Sequence, residues 1–351
     1  MIREYTLGFK KHSTLTAIDL FCGCGGTTIG LKAANYSVVC AIDLATAPLE
    51  AFKVNHPEVL VKQQDIQLID CKSLMSELSL KQGSLDLLAG CPPCQGFSSM
   101  RTKNGKFKIC DDRNDLISEF YRFTKALLPK SVMLENVPGL KDSSQFDQFL
   151  IDMNNLGYLG EWQVLNAKDF GVPQRRRRLI YVAGYKQTVS ISAEKNDPIS
   201  VRDALGELPK SGKSGDYIHD LPEKRTERIR EMIALVPKNG GSRSELPEEF
   251  VLPCHKRNPA GFKDVYGRMA WDSPSPTITG GCASPSKGRF LHPEENRCIT
   301  MREAAILQGF PPNYIFPNNL TKGKLALMIG NALPAPFIAA HAEDIKSQIY
   351  N

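Results

Sequence analysis

The residues best suited to chemistry lie in LDLLAGCPPCQGFSSMR, where an apolar run ends at Gly90 and two prolines hold Cys94 just beyond it. A thiolate at the carboxyl edge of a buried strand, near helix N-termini and basic residues, has a lowered pKa and is a competent nucleophile. The next apolar run, SVMLENV, ends in Glu135 and Asn136. At the same edge of a sheet, that glutamate would stand beside the thiol, and partial burial would let it donate a proton. Gln174-Arg175-Arg176-Arg177-Arg178 opens a further run, in which alternation sends Arg176 and Arg178 to one face and Arg175 and Arg177 to the other. A strand-end glutamate is also an ordinary loop or cap residue, and a basic run an ordinary solvated face, so residue types alone leave those readings open.

A second constellation precedes this one. The run AIDLF leads into Cys22-Gly23-Cys24-Gly25-Gly26 and then a short helical stretch, which offers backbone amides at a helix start to a ligand. It is not the dinucleotide fingerprint, because G-x-G-x-x-G counted from Gly23 needs glycine where Thr28 stands. Asp43 ends the second run, where an acid can accept both ribose hydroxyls, and Asp65, after a third short run, could accept from an adenine amino group. A tight turn with two solvated acids is the plain alternative. GELPKSGKS at Gly206 resembles a phosphate-binding P-loop but has five residues where four are required, and no strong strand precedes it. Cys91-Pro-Pro-Cys94 has redox-centre spacing, although the surrounding chain fits a thioredoxin-like fold badly. A zinc site lacks a second C-x-x-C or a histidine pair.

The elements that must position these groups follow from patterning. LTAIDLF, YSVVCAI, SLDLLAG, KSVMLEN and RRLIYVAGY read as strands alternating with helices, the signature of a parallel α/β sheet. The texture from about 186 to 275 is irregular, with one expected helix over Lys224 to Ala234. Thr300 to Glu303 is a capping box opening MREAAILQ, stopped by Gly309 and Pro311, and PAPFIAAHAEDI forms a final helix. The expected limits are a catalytic and cofactor-binding domain over 1–184, completed by about 325–351, and a smaller domain over 185–324.

With 351 residues the chain is long enough for about two domains. At 42% hydrophobic and 23% charged it has ordinary globular composition, which excludes disordered, collagen-like and coiled-coil classes. The net charge of +6 permits a polyanionic partner without demanding one. No unbroken apolar run approaches a membrane span and the N-terminus lacks a secretory core, so a cytoplasmic protein with reduced cysteines is expected.

Taken in order, DLFCGCGG, GCPPCQGFS, ENVPGL, GVPQRRRR, REAAILQGFP and GNALP resemble the DNA (cytosine-5) methyltransferase family across nearly the whole chain, and PSPTIT at Pro274 to Thr279 is similar again. The resemblance implies a Rossmann-like, S-adenosylmethionine-dependent methyltransferase domain with a mostly parallel sheet, plus a smaller irregular target-recognition domain. It implies Cys94 as nucleophile, Glu135 on cytosine N3, Arg178 on the base and Arg176 in support. For S-adenosylmethionine, with S-adenosylhomocysteine as product, it implies Phe21, Gly23 and Gly25 in the loop, Asp43 on the ribose, Asp65 and Ile66 at the adenine, and Leu116 and Asn331 closing the pocket. Gln95, Ser98, Arg101 and Lys103, with Lys106 and Lys108 on the same basic loop, would face double-stranded DNA. The expected setting is a prokaryotic restriction-modification system with a cognate endonuclease and a monomeric enzyme. Methylation of cytosine in RNA by the same residues, a silent DNA-binding homologue and a redox protein are the competing functions. The family more often carries Glu at Asp43 and an aromatic at Leu44, and other small residues at Cys22, Cys24 and Cys91.

Overall fold

The computed structural model describes residues 15–93, 116–192, 196–257 and 263–350. Seven strands are present among them: β1 (Thr16–Leu20), β2 (Ser37–Asp43), β3 (Leu60–Gln63), β4 (Leu87–Gly90), β5 (Ser131–Asn136), β6 (Tyr158–Asn166) and β7 (Arg177–Tyr185). The helices are α1 (Gly26–Ala33), α2 (Thr46–Asn55), α3 (Cys71–Glu77), α4 (Leu116–Leu127), α5 (Ser144–Asn155), α6 (Val201–Leu205), α7 (Glu227–Leu235), α8 (Pro253–Arg257), α9 (Met301–Leu307), α10 (Lys322–Asn331) and α11 (Ala335–Tyr350).

The strands form one sheet in the order β3-β2-β1-β4-β5-β7-β6. The pairs from β3 through β5 are parallel, whereas β7 runs antiparallel to both β5 and β6. This is the expected α/β class with a mostly parallel sheet. β4 and β5 are buried along their whole length, as strands covered on both faces must be, and their sequences are accordingly near-continuous apolar runs. β6 escaped the sequence reading because it is a half-exposed edge strand with no regular alternation, YLGEWQVLN. The strand order reverses between β1 and β4, so their carboxyl ends open a crevice where ligands of open α/β sheets bind.

The chain divides into two compact units. The larger contains residues 15–170, 177–192 and 333–350, and the smaller Gly171–Arg176 and Asn196–Ala332. Residues beyond 184 stay with the sheet because the Val189 amide donates to Leu159 O of β6 and Gln348 of α11 exchanges hydrogen bonds with Ser190. α10 stays with the smaller unit because Gly330 lies against the Thr279–Gly280 backbone so closely that a Cβ there would meet it at 2.2 Å or just beyond. Gly171–Arg176 joins the same unit through Arg175 N to Ser275 O (2.8 Å) and Ser275 N to Pro173 O (2.9 Å).

In the larger unit α4, α5 and the sheet enclose an apolar core that includes Leu20, Leu88, Phe120, Phe149 and Leu134. The smaller unit has few regular elements. α7 forms where a helix was expected, and the Thr300–Glu303 capping box opens α9 as expected. The segment Lys322–Tyr350 has the length and composition of a membrane span, which the search for unbroken apolar runs did not register; 78% of its apolar window is packed inside the protein, and it is two helices rather than one.

Candidate active site

Register brings the groups of interest to one edge of the larger unit. Leu20 pairs with Ile42 and Gly90, Gly90 pairs with Leu134, and Glu135 pairs with Ile180, so the residues after these positions form a row along the carboxyl ends. Two backbone bonds continue that row past the strands: Cys22 N to Ile42 O at 3.0 Å and Cys91 N to Leu20 O at 3.2 Å.

At one end of the row is Glu135, only 2% exposed. A carboxylate cannot be buried cheaply without partners. Arg178 supplies the charge, with Nε 2.8 Å from Oε1, though this close ion pair lacks the alignment of a hydrogen bond. Cys91 Sγ lies 2.7 Å from Oε2 and donates to it. Asn136 Nδ2 donates to Pro92 O at 3.0 Å, which anchors the first proline of the Pro-Pro pair to the end of β5. Buried polar groups at the end of β5 thus fix Cys91 and Pro92, the residues that follow β4. Cys94 itself, with Gln95, Ser98, Arg101, Lys103, Lys106 and Lys108, lies outside the described residues.

At the other end is the glycine loop. Phe21, Gly23 and Gly25 have φ of 63°, 53° and 94°, a left-handed succession that only the glycines adopt without strain. A Cβ at Gly23 would meet nothing within 4 Å, so the loop presents open backbone. Asp43 shapes it: Oδ2 accepts from Gly23 N and Oδ1 from Ala45 N, both at 2.8 Å. Beneath lies Asp19, fully buried, with Oδ2 accepting from Thr28 Oγ1 at 2.7 Å and Oδ1 without a hydrogen-bond partner among the described residues. Burial pushes its carboxyl up to about 7 against the lowering effect of the Thr28 bond. Sequence reasoning missed Asp19, although an acid inside the buried run AIDLF was a signal that could have found it. Thr28, which spoils the dinucleotide fingerprint, is here the partner of that acid.

Asp65 caps the 3₁₀ turn Ile66–Leu68 by accepting from Gln67 N at 3.0 Å, and Ile66 is buried. Leu116 begins α4 and packs partly buried against the core. Asn331 ends α10 in the smaller unit and is exposed. Arg176 does not share Arg178's surroundings. β7 begins only at Arg177, so strand alternation does not reach back to Arg176; its guanidinium is buried and donates to Ile278 O (3.1 Å) and to Gly330 O (3.3 Å), both in the smaller unit. Burial pushes the Cys24 and Cys40 thiols up to about 12 and raises the Cys22 thiol well above its ordinary range, so these three are not nucleophiles near neutral pH. Among the described residues no group of His, Cys, Asp and Glu could hold a metal ion.

The arrangement offers a buried carboxyl group paired with an arginine and a thiol at one end of the row, and a backbone cradle flanked by acids at the other. Comparison with known proteins places it. The type II methylase M.HgiDII of Herpetosiphon aurantiacus is 33% identical over 342 residues, covering 94% of each chain. The type II methyltransferase M1.HphI of Haemophilus parahaemolyticus is 32% identical over 340 residues, covering 95% of this chain and 87% of that one. Among solved structures, a prophage-encoded Escherichia coli protein assigned as a DNA modification methyltransferase superposes with a TM-score of 0.73 at 22% identity, over 96% of this chain and all of its own. At that identity the likeness is one of fold. The profile of C-5 cytosine-specific DNA methylases matches residues 15–347. A match of that extent leaves one assignment: the chain belongs to the C-5 cytosine-specific DNA methylase family.

Proposed function

We propose that the protein transfers a methyl group from S-adenosylmethionine to C5 of a cytosine swung out of double-stranded DNA, through a transient bond between Cys94 and C6. The observation that carries this reading is the buried Glu135 carboxyl, held between Arg178 and Cys91 and tied through Asn136 to the loop that leads to Cys94.

Cytosine C5 is a poor nucleophile. Addition of the Cys94 thiolate at C6, with a proton passing from Glu135 to N3, makes C5 enamine-like. Arg178, 2.8 Å from Glu135, supplies a fixed positive charge where charge develops on the base. When bound, S-adenosylmethionine supplies the electrophilic methyl group. Loss of the C5 proton to water, expulsion of the Cys94 thiolate from C6 and return of the N3 proton to Glu135 restore the pyrimidine and the free enzyme. Because C6 is shielded in a duplex, the nucleotide must leave the stack at a cost of a few kcal/mol.

The residues present fit the methyl donor. Gly23 presents open backbone, Gly25 turns the chain into α1, Asp43 stands at the strand end suited to ribose hydroxyls, and Asp19 keeps a buried carboxyl oxygen unsatisfied for a polar ligand group. Asp65, Ile66 and Leu116 would hold the adenine side and Asn331 would close the pocket. Arg176 is proposed to act indirectly, through the backbone it ties. Gln95, Ser98, Arg101 and Lys103 would contact DNA, in a monomeric cytoplasmic enzyme working alongside a cognate restriction endonuclease, with the smaller unit reading the sequence.

The test is an oligonucleotide with 5-fluorodeoxycytidine at the methylated position, located beforehand by bisulfite mapping of DNA from expressing cells. With S-adenosylmethionine it should become irreversibly attached to the wild-type protein and not to Cys94→Ser. Glu135→Gln should lower the methylation rate by about 10²–10⁴-fold while still binding DNA. A protein that methylates DNA without ever being trapped would overturn the covalent route.

A further inference from the structure

We propose that Arg122 is a positioning residue for the methyl donor: it holds the Asp65–Leu68 turn, on which the adenine side of the pocket is built, against α4. This rests on the cofactor reading given above. Arg122 lies on α4, two turns after Leu116, and its guanidinium is committed on every edge. Nη2 donates to Ile66 O at 2.7 Å, Nη1 to Ile69 O at 3.0 Å and to Cys71 Sγ at 3.3 Å, and Nε to Glu119 Oε2 at 2.7 Å. The guanidinium carbon also sits 4.8 Å from the centre of the buried Phe123 ring.

The two carbonyls are the reason for the assignment. Ile66 and Ile69 bracket the 3₁₀ turn, within which Asp65 accepts from Gln67 N (3.0 Å), the Leu68 amide bonds back to Asp65 O (3.0 Å) and the Ile69 amide to Ile66 O (3.2 Å). Those bonds shape the turn internally; the Gln64 amide, donating to Asp43 O at 3.1 Å, ties its entry to β2, and Arg122 ties the turn itself to α4. Leu68, at 73% exposure, adds no packing anchor, which leaves Ile66 and, just after the turn, Ile69 as its buried apolar contacts. A planar fork with five donors can hold two carbonyls, a sulfur and a carboxylate in one geometry; a lysine ammonium on a flexible stem cannot. α4 is itself a rigid reference, because Phe120 packs on Gly90 so tightly that a Cβ there would lie 2.8 Å from its ring. Arg122 therefore references the Asp65–Ile66 turn to the same helix that begins with Leu116 and abuts the strand leading to the Cys94 loop. A ligand pocket loses affinity when its walls are not held in place before the ligand arrives.

The experiment uses the full chain. In Arg122→Gln, the dissociation constant for S-adenosylmethionine measured calorimetrically, and the KM for it, should each rise at least tenfold. The rate at saturating S-adenosylmethionine and the affinity for DNA should change less than threefold. Arg122→Lys should fall between. In the cofactor-free protein, hydrogen exchange of the 65–69 amides should quicken in Arg122→Gln without change in β1 or β5. If Arg122→Gln fails to fold, Arg122→Lys carries the same measurements. Unchanged cofactor affinity in a folded variant overturns the proposal, as does a parallel loss in rate and in both affinities. Wild-type protein that binds no S-adenosylmethionine would instead overturn the cofactor reading on which the proposal rests, whatever the exchange data show.

Discussion

The two units keep their shape by different physics. In the larger, strands that are apolar along their whole length stack into a sheet, and helices bury aromatic and aliphatic side chains against it. In the smaller, buried apolar residues gather around Ile233, Val236, Leu291 and Cys298 and along α9 and α10 with Phe310, Tyr314 and Phe316, and arginines add much of the tying between loops. Arg268, with no exposed surface, donates to the carbonyls of Ile233, Val236, His292 and Glu295 and to Asn296 Oδ1. Arg289 donates to Gly240 O, Gly241 O and Arg268 O, and Arg297 makes a two-pronged pair with Glu303. Where no sheet or long helix satisfies the backbone, buried carbonyls need another donor, and a guanidinium can serve several at once. Regular structure suits a site that must hold groups in register.

The largest effect should come from removing one of these pins. Arg268→Met keeps the volume but orphans a cluster of buried carbonyls, and should cost about 3–5 kcal/mol. The protein has two tryptophans, Trp162 on β6 of the larger unit and Trp271 in the smaller. In urea unfolding, Arg268→Met should lower the midpoint reported by Trp271, followed in a Trp162→Phe background, more than that reported by Trp162 in a Trp271→Phe background. Equal displacement of both signals would mean that the units do not differ in the way argued here.

The larger unit should be sensitive to volume instead. Gly90→Ala adds one methyl group that would lie 2.8 Å from Phe120 Cδ2 and 3.3 Å from Leu20 Cβ, and overpacking of this kind costs about 1–3 kcal/mol. Phe120→Leu in the same chain should recover most of it, because the clash is with the ring. Failure of that rescue would point to the backbone of β4 as the constraint.

The same contrast explains what could be read from the amino acids. Strands buried inside the sheet advertise themselves as apolar runs, so five of the seven were legible, and with three of them the edge on which Asp43, Gly90 and Glu135 stand; β3, four residues long, showed only as a short run before Asp65. β6 was not, because an edge strand with exposure on both faces, carrying Leu159 and Trp162 beside Glu161, has no period to detect. Arg176 was placed with Arg178 by counting alternate residues. Counting by twos holds only inside a strand, and here the strand starts one residue later. Arg268 and Arg122 were invisible for a deeper reason: their partners are main-chain carbonyls, which every residue has, so no residue type marks the far end of the bond.

A last test asks whether the apolar core of the larger unit tolerates a polar group it does not use. His341 of α11 is fully buried between the rings of Phe170 and Phe337, at centroid distances of 4.9 and 4.8 Å, and neither ring nitrogen has a hydrogen-bond partner among the described residues. Burial lowers its pKa from 6.5 to about 4. Between those values the unfolded chain takes up a proton that the folded chain refuses. Stability is therefore complete above the ordinary histidine range and is lost as pH falls from 6.5 towards 4. His341→Phe keeps a ring of similar size against the same neighbours and removes both unsatisfied nitrogens. At neutral pH it should raise stability by about 1 kcal/mol or leave it unchanged. Near pH 5 the gain should grow by roughly 2 kcal/mol, the proton-linkage energy of a group with that shift. Thermal unfolding of both proteins across that range reads the difference directly. Parallel pH profiles would show that His341 finds a proton acceptor in the folded chain, and that even this core is held partly by the kind of polar tie that dominates its neighbour.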